Sequence, residues 1–260
     1  MTLTPAQIRH IEEQAATIWP ALKRRYYDGW VLNFANGYTR RANSVHPLYS
    51  APGSTLTLDE KIAHCEAGYR AQRLPPVFKL TDAALPADLD DQLVARGYTR
   101  DDGTFVQHCP LTAHDPQPDP TLKATIRTMP DERWLAESCR LSGSDPATIP
   151  AMRGVLDQVV GQTACLSLWG AQATGPASAS GLAILLDGDL WLFSIVTDHA
   201  QRGRGLGKQV MLHLLRWGID HGATAAYLQV RSTNPPALRL YAGLGFETLY
   251  SYWYRTPPPT

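Results

Sequence analysis

The sequence predicts an α/β (α+β) protein of two domains, each a mixed, mostly antiparallel sheet flanked by helices. Three observations predict it. Runs rich in β-branched and aromatic residues alternate with helix-like stretches along the whole chain. A seam from His108 to Ala124, HCPLTAHDPQPDPTLKA, carries four prolines. Proline blocks helix continuation and sheet donation, so this segment reads as an interdomain linker, drawn at residues 113–121. The two sides of the seam also share an order of elements: LDDQLVARGY occupies the place on the first side that LRLYAGLGF occupies on the second, each between two strands. That order suggests one fold repeated and diverged, with two unrelated α/β units as the alternative.

In the first domain, residues 1–112, IRHIEEQAATIWPALK is helix-like and GWVLNFANGYTRRANSV reads as a strand pair. A helix at LDEKIAHCEAGYRAQ and a strand at PVFKL follow, then the short helix LDDQLVARGY and the strand GTFVQHCPL. In the second domain, residues 122–260, PDERWLAESCRLSG and IPAMRGVLDQVVG are spaced like two short helices, the first with Asp131 and Glu132 placed to favour its N-terminal dipole. TACLSLWG, ASGLAILL and LWLFSIVT read as three antiparallel strands, the last two joined at Asp187-Gly188-Asp189, a composition suited to a tight hairpin. LGKQVMLHLLRWGIDHG has apolar residues at Val210, Leu214, Leu215 and Trp217 and a stop at Gly222, the pattern of an amphipathic helix ended by glycine. The strand AAYLQV, a short helix around PALRLYAGLG and a last strand LYSYWYR complete the unit.

Composition narrows the function. With 44% hydrophobic and 18% charged residues the chain is expected to fold by packing. Lys+Arg and Asp+Glu number 24 each, so a polyanion has no global electrostatic attraction and nucleic acid is not an expected partner. Cys65, Cys109, Cys139 and Cys165 lie far apart, without CxxC or metal-ligand spacing, and are expected as reduced thiols with no metal site. The N-terminal segment lacks the apolar stretch of a signal peptide, and no run of about 18 apolar residues marks a membrane span. A cytoplasmic protein that does not engage a membrane is the expectation.

The segment that carries chemistry is LFSIVTDHAQRGRGLGKQ, where a strand runs into a glycine-rich turn that opens a helix. Gly203, Gly205 and Gly207 let backbone amides approach an anion closely, and the helix N-terminus adds positive potential. Arg202, Arg204 and Lys208 add countercharge. The spacing is GxGxG, so the dinucleotide fingerprint GxGxxG fails; Lys208 is followed by Gln209, so the P-loop fails as well. What remains is a pyrophosphate cradle, against a glycine-rich loop used only for a tight turn.

These residues resemble the acetyl-CoA loop of the GNAT superfamily of N-acetyltransferases, Arg/Gln-x-x-Gly-x-Gly/Ala, here Arg202-x-x-Gly205-x-Gly207. The similarity continues in Asn234, Ala237, Tyr241 and Gly245-Phe246, which occupy the places of the family's second signature, and it covers about residues 122–256. The resemblance implies that each domain is GNAT-like. It implies acetyl-CoA as co-substrate, with Ile195, Val196 and Thr197 pairing by backbone with the pantetheine arm and polarising the thioester carbonyl. It further implies that Arg202, Gly203, Arg204, Gly205, Leu206, Gly207 and Lys208 hold the pyrophosphate, that Asn234 contacts the pantetheine or acyl region, and that Tyr241 is the general acid for the leaving thiolate. Tyr241 as a core aromatic and Asn234 as a helix cap stand as the structural alternatives.

One departure from the family is the run Thr197-Asp198-His199, where a small apolar residue and a proline often precede the loop. His199 there suits a solvent-facing or anion-proximal position. No general base announces itself: Asp189 reads as hairpin turn and Glu247 as a polar residue after Gly-Phe, leaving a water relay. The first domain has Gly53 alone where the glycine loop would be, and resembles the degenerate N-terminal half of tandem GNAT proteins. Its Trp30, Arg40, Arg41, Asn43 and His46 are expected either to line an acceptor pocket or to form a structural turn. The expected activity is acetyl transfer to a primary amine of a small molecule, amino acid or peptide; a non-catalytic acyl-CoA sensor is the alternative.

Overall fold

The structure, a computed structural model, describes residues 3–170 and 175–258. It divides into two compact units. One holds the chain up to Phe105 together with Arg231–Thr233 and the segment from Leu249 on; the other holds Val106–Val230 and Asn234–Thr248. The residues expected as a linker, 113–121, lie within the second unit. Both are mixed sheets with flanking helices. No helix among the described residues is long and apolar enough to cross a membrane.

The first unit opens with helix α1 (Pro5–Ile18), whose N-cap Thr4 and Gln7 form a capping box. The stretch read as one helix through Lys23 ends early, because Pro20 cannot continue it. Strand β1 (Lys23–Tyr27) then pairs antiparallel with β2 (Trp30–Phe34) through a turn at Asp28-Gly29, both with positive φ (46° and 81°). Asp-Gly at such a turn is a strong hairpin signal, so the strand pair begins one strand earlier than expected. β3 (Val45–His46), α2 (Leu58–Ala71), β4 (Phe78–Thr81), α3 (Leu89–Ala95) and β5 (Thr99–Arg100) follow. The chain's last strand, β12 (Glu247–Thr256), pairs antiparallel with β4, Tyr252 opposite Thr81, giving the order β1-β2-β3-β4-β12 with β5 on β12. Trp30, Leu32, Tyr69, Phe78 and Leu93 fill its core.

The second unit contains β6 (Thr104–Pro110) from Val106 on, β7 (Ala124–Arg127), α4 (Glu132–Ser142), α5 (Ile149–Leu156), β8 (Gln162–Leu168) and β9 (Ala179–Leu186). It continues through β10 (Asp189–Thr197), α6 (Leu206–Asp220), β11 (Ala225–Arg231) and α7 (Pro235–Ala242), in the sheet order β6-β11-β10-β9-β8-β7. β8, β9 and β10 are antiparallel, as expected, and Asp187-Gly188 makes the hairpin with positive φ at both positions (52° and 85°). β7 was not expected; its four residues are too short to carry a period of their own, and its pairing with β8 makes it a strand.

Glycine seats α6 on the sheet. A Cβ at Gly181 of β9 would lie 2.6 Å from Val210 and 2.9 Å from Leu214, and one at Gly218 would lie 2.5 Å from Leu190. A methyl at either place would force these packed side chains to shift, at a cost of about 1–3 kcal/mol. Neighbouring residues of a strand point to opposite faces. Ser180 therefore faces away from α6 with its partner Ser167, whose hydroxyl donates to Glu137 of α4 at 2.8 Å. The two helices thus take opposite faces, leaving the N-terminus of α6 at the end of β10.

Candidate active site

The site is built where β10 loses one neighbour. β10 runs parallel to β11 from Asp189–Ala225 to Leu192–Leu228, and the pairing stops there. Its register with β9 shifts between Phe193 and Val196, with Ser194 in the left-handed region at φ 51°. Such a bulge re-aims a strand, and bulges concentrate beside active sites. Beyond it Val196 and Thr197 pair only with Ser180 and Ala179 of β9. The other edge of this stretch therefore faces no β11 partner; the Asp198 N–H bonds the Ser178 carbonyl, so in alternation Val196 turns its N–H and C=O to β9 while Ile195 and Thr197 turn theirs to the open edge, where they can bond an extended guest.

That edge leads directly into the glycine loop. A 3-10 turn, His199–Gln201, is capped by the Asp198 side chain, which accepts from the Ala200 N–H at 3.0 Å. Gly203 and Gly205 then take positive φ (75° and 77°), and a Cβ at either would meet no atom within 4 Å. Gly205 is the N-cap of α6, and no side chain caps this helix. The first-turn amides of Leu206, Gly207 and Lys208 have no intrahelical acceptor, so their positive end is open to an anion. Arg202, Arg204 and Lys208 are exposed, and none takes part in a salt bridge among the described residues.

α7 closes the other side. A Cβ at Gly207 would meet Leu240 at 3.5 Å and Thr197 Oγ1 at 3.6 Å, so the first turn of α6 lies between the end of β10 and α7. Tyr241 follows Leu240, is 8% exposed, and stands 6.1 Å from the Phe246 ring. Burial pushes its phenol up to about 12, so at neutral pH the hydroxyl keeps its proton. Asn234 is the N-cap of α7 and accepts from the Ala237 N–H at 3.3 Å, which occupies its oxygen and leaves its amide donors exposed.

Other groups named from the sequence fall elsewhere. His199 is exposed on the 3-10 turn. Asp189 opens β10 and Glu247 is exposed at the start of β12. In the first unit, Asn43 is 7% exposed with its amide fully engaged. It accepts from the N–H groups of Ala35 (2.7 Å) and Gly37 (3.0 Å) and donates to the carbonyls of Tyr38 (2.8 Å) and Thr39 (2.9 Å). Trp30 is fully buried and donates to the Leu85 carbonyl at 2.8 Å; His46 is buried against Ser44 at 3.0 Å. Arg40 pairs with Asp101 at 2.9 Å, and Arg41 lies over the Trp19 ring at 5.3 Å. Trp30, Asn43 and His46 thus hold the turn from inside the core, while Arg40 and Arg41 keep part of their surface.

Two features escaped the sequence. The Ser194 bulge has no compositional signal, since glycine or asparagine is the usual residue at positive φ. Arg140, on α4, reaches Asp198 across 58 residues of chain, a pairing that local spacing cannot reveal.

Comparison with known proteins adds a second line. Residues 5–255 match the family described as "Probable histone acetyltransferase Rv0428c C-terminal". The chain is 28% identical over 250 residues to "Uncharacterized N-acetyltransferase YobR" of Bacillus subtilis (strain 168), covering 95% of this chain and 98% of that protein. Among solved structures, a GCN5-related N-acetyltransferase from Kribbella flavida superposes with a TM-score of 0.69 at 16% identity, over 100% of this chain and 97% of the other. A tandem GNAT protein from the clavulanic acid biosynthesis pathway, without AcCoA, superposes with a TM-score of 0.61 at 17% identity, over 84% and 76%. At these identities the structural likenesses speak for the fold.

Proposed function

Because the chain belongs to the family of the probable histone acetyltransferase Rv0428c C-terminal region, and is an enzyme of the GNAT type, we propose that it moves an acetyl group from acetyl-CoA to a primary amine by direct attack on the thioester. The observation that carries this reading is the continuity of the open β10 edge with a glycine-opened helix N-terminus that has no side-chain cap, beside three cations that make no salt bridge among the described residues. A long donor with a polar arm and a pyrophosphate matches that sequence of groups. The backbone groups of Ile195 and Thr197 would pair with the arm, and one amide would polarise the thioester carbonyl, whereas those of Val196 face β9; the Arg202–Lys208 segment would hold the phosphates. Asn234 would offer its free amide donors to the arm.

In the reaction the neutral amine nitrogen bonds to the carbonyl carbon and negative charge gathers on oxygen. The C–S bond then breaks, the charge moves to sulfur, and the nitrogen gives up its surplus proton through water, which returns a proton to Tyr241. A backbone N–H answers the first charge, and the Tyr241 hydroxyl donates its proton to the second. The acceptor is a small amine, an amino acid or a peptide amine.

The first unit takes the degenerate half of a tandem pair in this reading. Its helix α2 would then correspond to α6, yet the α2 N-terminus carries a capping box: Thr57 accepts from the Glu60 N–H at 3.2 Å, and Glu60 accepts from the Thr57 N–H at 2.8 Å. The nearby cation Lys61 is spent on Asp28 at 2.8 Å. The box leaves fewer first-turn amides for an anion than the α6 N-terminus offers, and Glu60 sets a carboxylate beside them.

Calorimetric titration with acetyl-CoA, followed by thiol release across a panel of amines, tests the proposal. Saturable binding and amine-dependent thiol release are expected. Binding without release to any amine would make the protein an acyl-CoA sensor, and absence of binding would remove the loop from the site.

A further inference from the structure

Asp198 is an awkward residue to find at the mouth of a phosphate cradle. It stands four residues before Arg202, and its carboxylate opposes any anion brought to the α6 N-terminus. Yet the structure uses it as a hub. Its side chain caps the 3-10 turn that leads into the loop, its N–H donates to the Ser178 carbonyl at 2.8 Å, and its carbonyl accepts from the Gln201 N–H at 2.8 Å.

Arg140 answers both problems from the last turn of α4. Its Nη1 donates to Asp198 Oδ2 at 2.7 Å and its Nη2 to the Ala177 carbonyl at 2.6 Å. One guanidinium fork thus ties the residue before the loop to the residue before Ser178, so the cross-link formed by the Asp198 N–H is doubled. The pair is 42% and 29% exposed, and as an isolated surface ion pair it would be worth little. Its geometry gives it weight, because a planar fork held by two acceptors fixes orientation as well as distance. The guanidinium also holds the Asp198 carboxyl below the usual carboxylate range, so the neighbouring charges are a matched pair at neutral pH.

Resting on the acetyl-CoA reading above, we infer that Arg140 is a positioning residue for the donor's pyrophosphate. It fixes the turn from which the Arg202–Lys208 amides converge, and it neutralises the carboxylate that would repel the phosphates. It touches neither the thioester nor the acceptor, so its effect is confined to the pyrophosphate end of the donor.

The test compares two donors: acetyl-CoA, and S-acetylpantetheine, which carries the same thioester and arm without the pyrophosphate. Arg140→Gln should raise the KM and Kd for acetyl-CoA about 5- to 20-fold, the scale of losing a charge-assisted hydrogen-bond pair at a half-exposed site. The kcat at saturating acetyl-CoA and the KM for S-acetylpantetheine should stay within about twofold of wild type. Arg140→Lys, which keeps the charge and loses the fork, should recover part of the affinity, and adding Asp198→Asn to Arg140→Gln should recover part by removing the unmatched carboxylate. A KM rise of equal size for both donors would make Arg140 a general structural residue and overturn the inference. Wild-type values in Arg140→Gln for both donors would overturn it alone, with the acetyl-CoA reading intact. A wild-type protein that takes neither donor would bring down both.

Discussion

At the scale of single residues, the packing of Tyr241 bears directly on the chemistry proposed for it. Tyr241 is buried against Phe246, and the same burial that makes it a core aromatic keeps its phenol protonated up to about 12. A phenol that stays neutral across the working range is suited to donate to a thiolate. Tyr241→Phe should therefore lower turnover by about 10²- to 10⁴-fold while acetyl-CoA affinity holds within about threefold, because the proton is given in the transition state. The pH profile gives a second check. In wild type the rate should rise with pH as the acceptor amine loses its proton, with no descending limb below about pH 11, since Tyr241 has not yet ionised. An unchanged turnover in Tyr241→Phe, with chemistry rate-limiting, would leave the residue a packing role only. Asn234 was open between ligand and cap, and its oxygen caps α7.

At the scale of elements, the glycines of the loop separate into two kinds. Gly205 needs its φ of 77°, although a Cβ there would find open space. Gly207 sits inside α6 with an ordinary backbone, and a Cβ there would make normal contacts with Leu240 and Thr197. Gly205→Val should thus carry about 1–2 kcal/mol of backbone strain and turn the amides away, weakening acetyl-CoA by about tenfold or more. Gly207→Ala should fold at least as well, because alanine is the better helix former by about 1 kcal/mol, and should bind within about threefold of wild type. Calorimetry on the two variants checks the contrast. Equal losses would mean that the loop acts by lacking side chains and that its backbone conformation is incidental. The same logic distinguishes α6 from α2, where a threonine and a glutamate cap a helix start of the kind that glycine leaves without a side-chain cap in the second unit.

At the scale of the whole molecule, the buried polar groups of the first unit tie stability to pH. His46 is 3% exposed, and burial, reinforced by the charges of Lys79 and Arg24, holds its pKa well below the ordinary imidazole value. The folded protein keeps His46 neutral, whereas the unfolded chain protonates it near pH 6.5. Its contribution is therefore fully present above about pH 6.5 and is lost as pH falls below that value, by up to about 1.4 kcal/mol per pH unit. Urea unfolding at pH 7.5, 6.5 and 5.5 should show this decline in wild type and a shallower one in His46→Gln. Identical slopes would assign the acid sensitivity to other groups.

The sequence by itself determined the strand–glycine loop–helix segment and most elements, for a physical reason: these features are local. A strand, three alternate glycines and an amphipathic helix lie within one continuous stretch, and the Asp187-Gly188 hairpin is written in two residues. Tertiary structure alone decided what depends on distant partners. β7 is a strand because β8 pairs with it, the compact units share out the end of the chain because β12 finds β4, and the polar run from Arg40 to His46 is a framework because its neighbours bury it. The open edge of β10 exists because β11 stops pairing at Leu192, and the turn before the glycine loop is held by an arginine 58 residues away. Propensity and spacing fix what a segment can form; only packing decides which backbone groups are left free for a ligand.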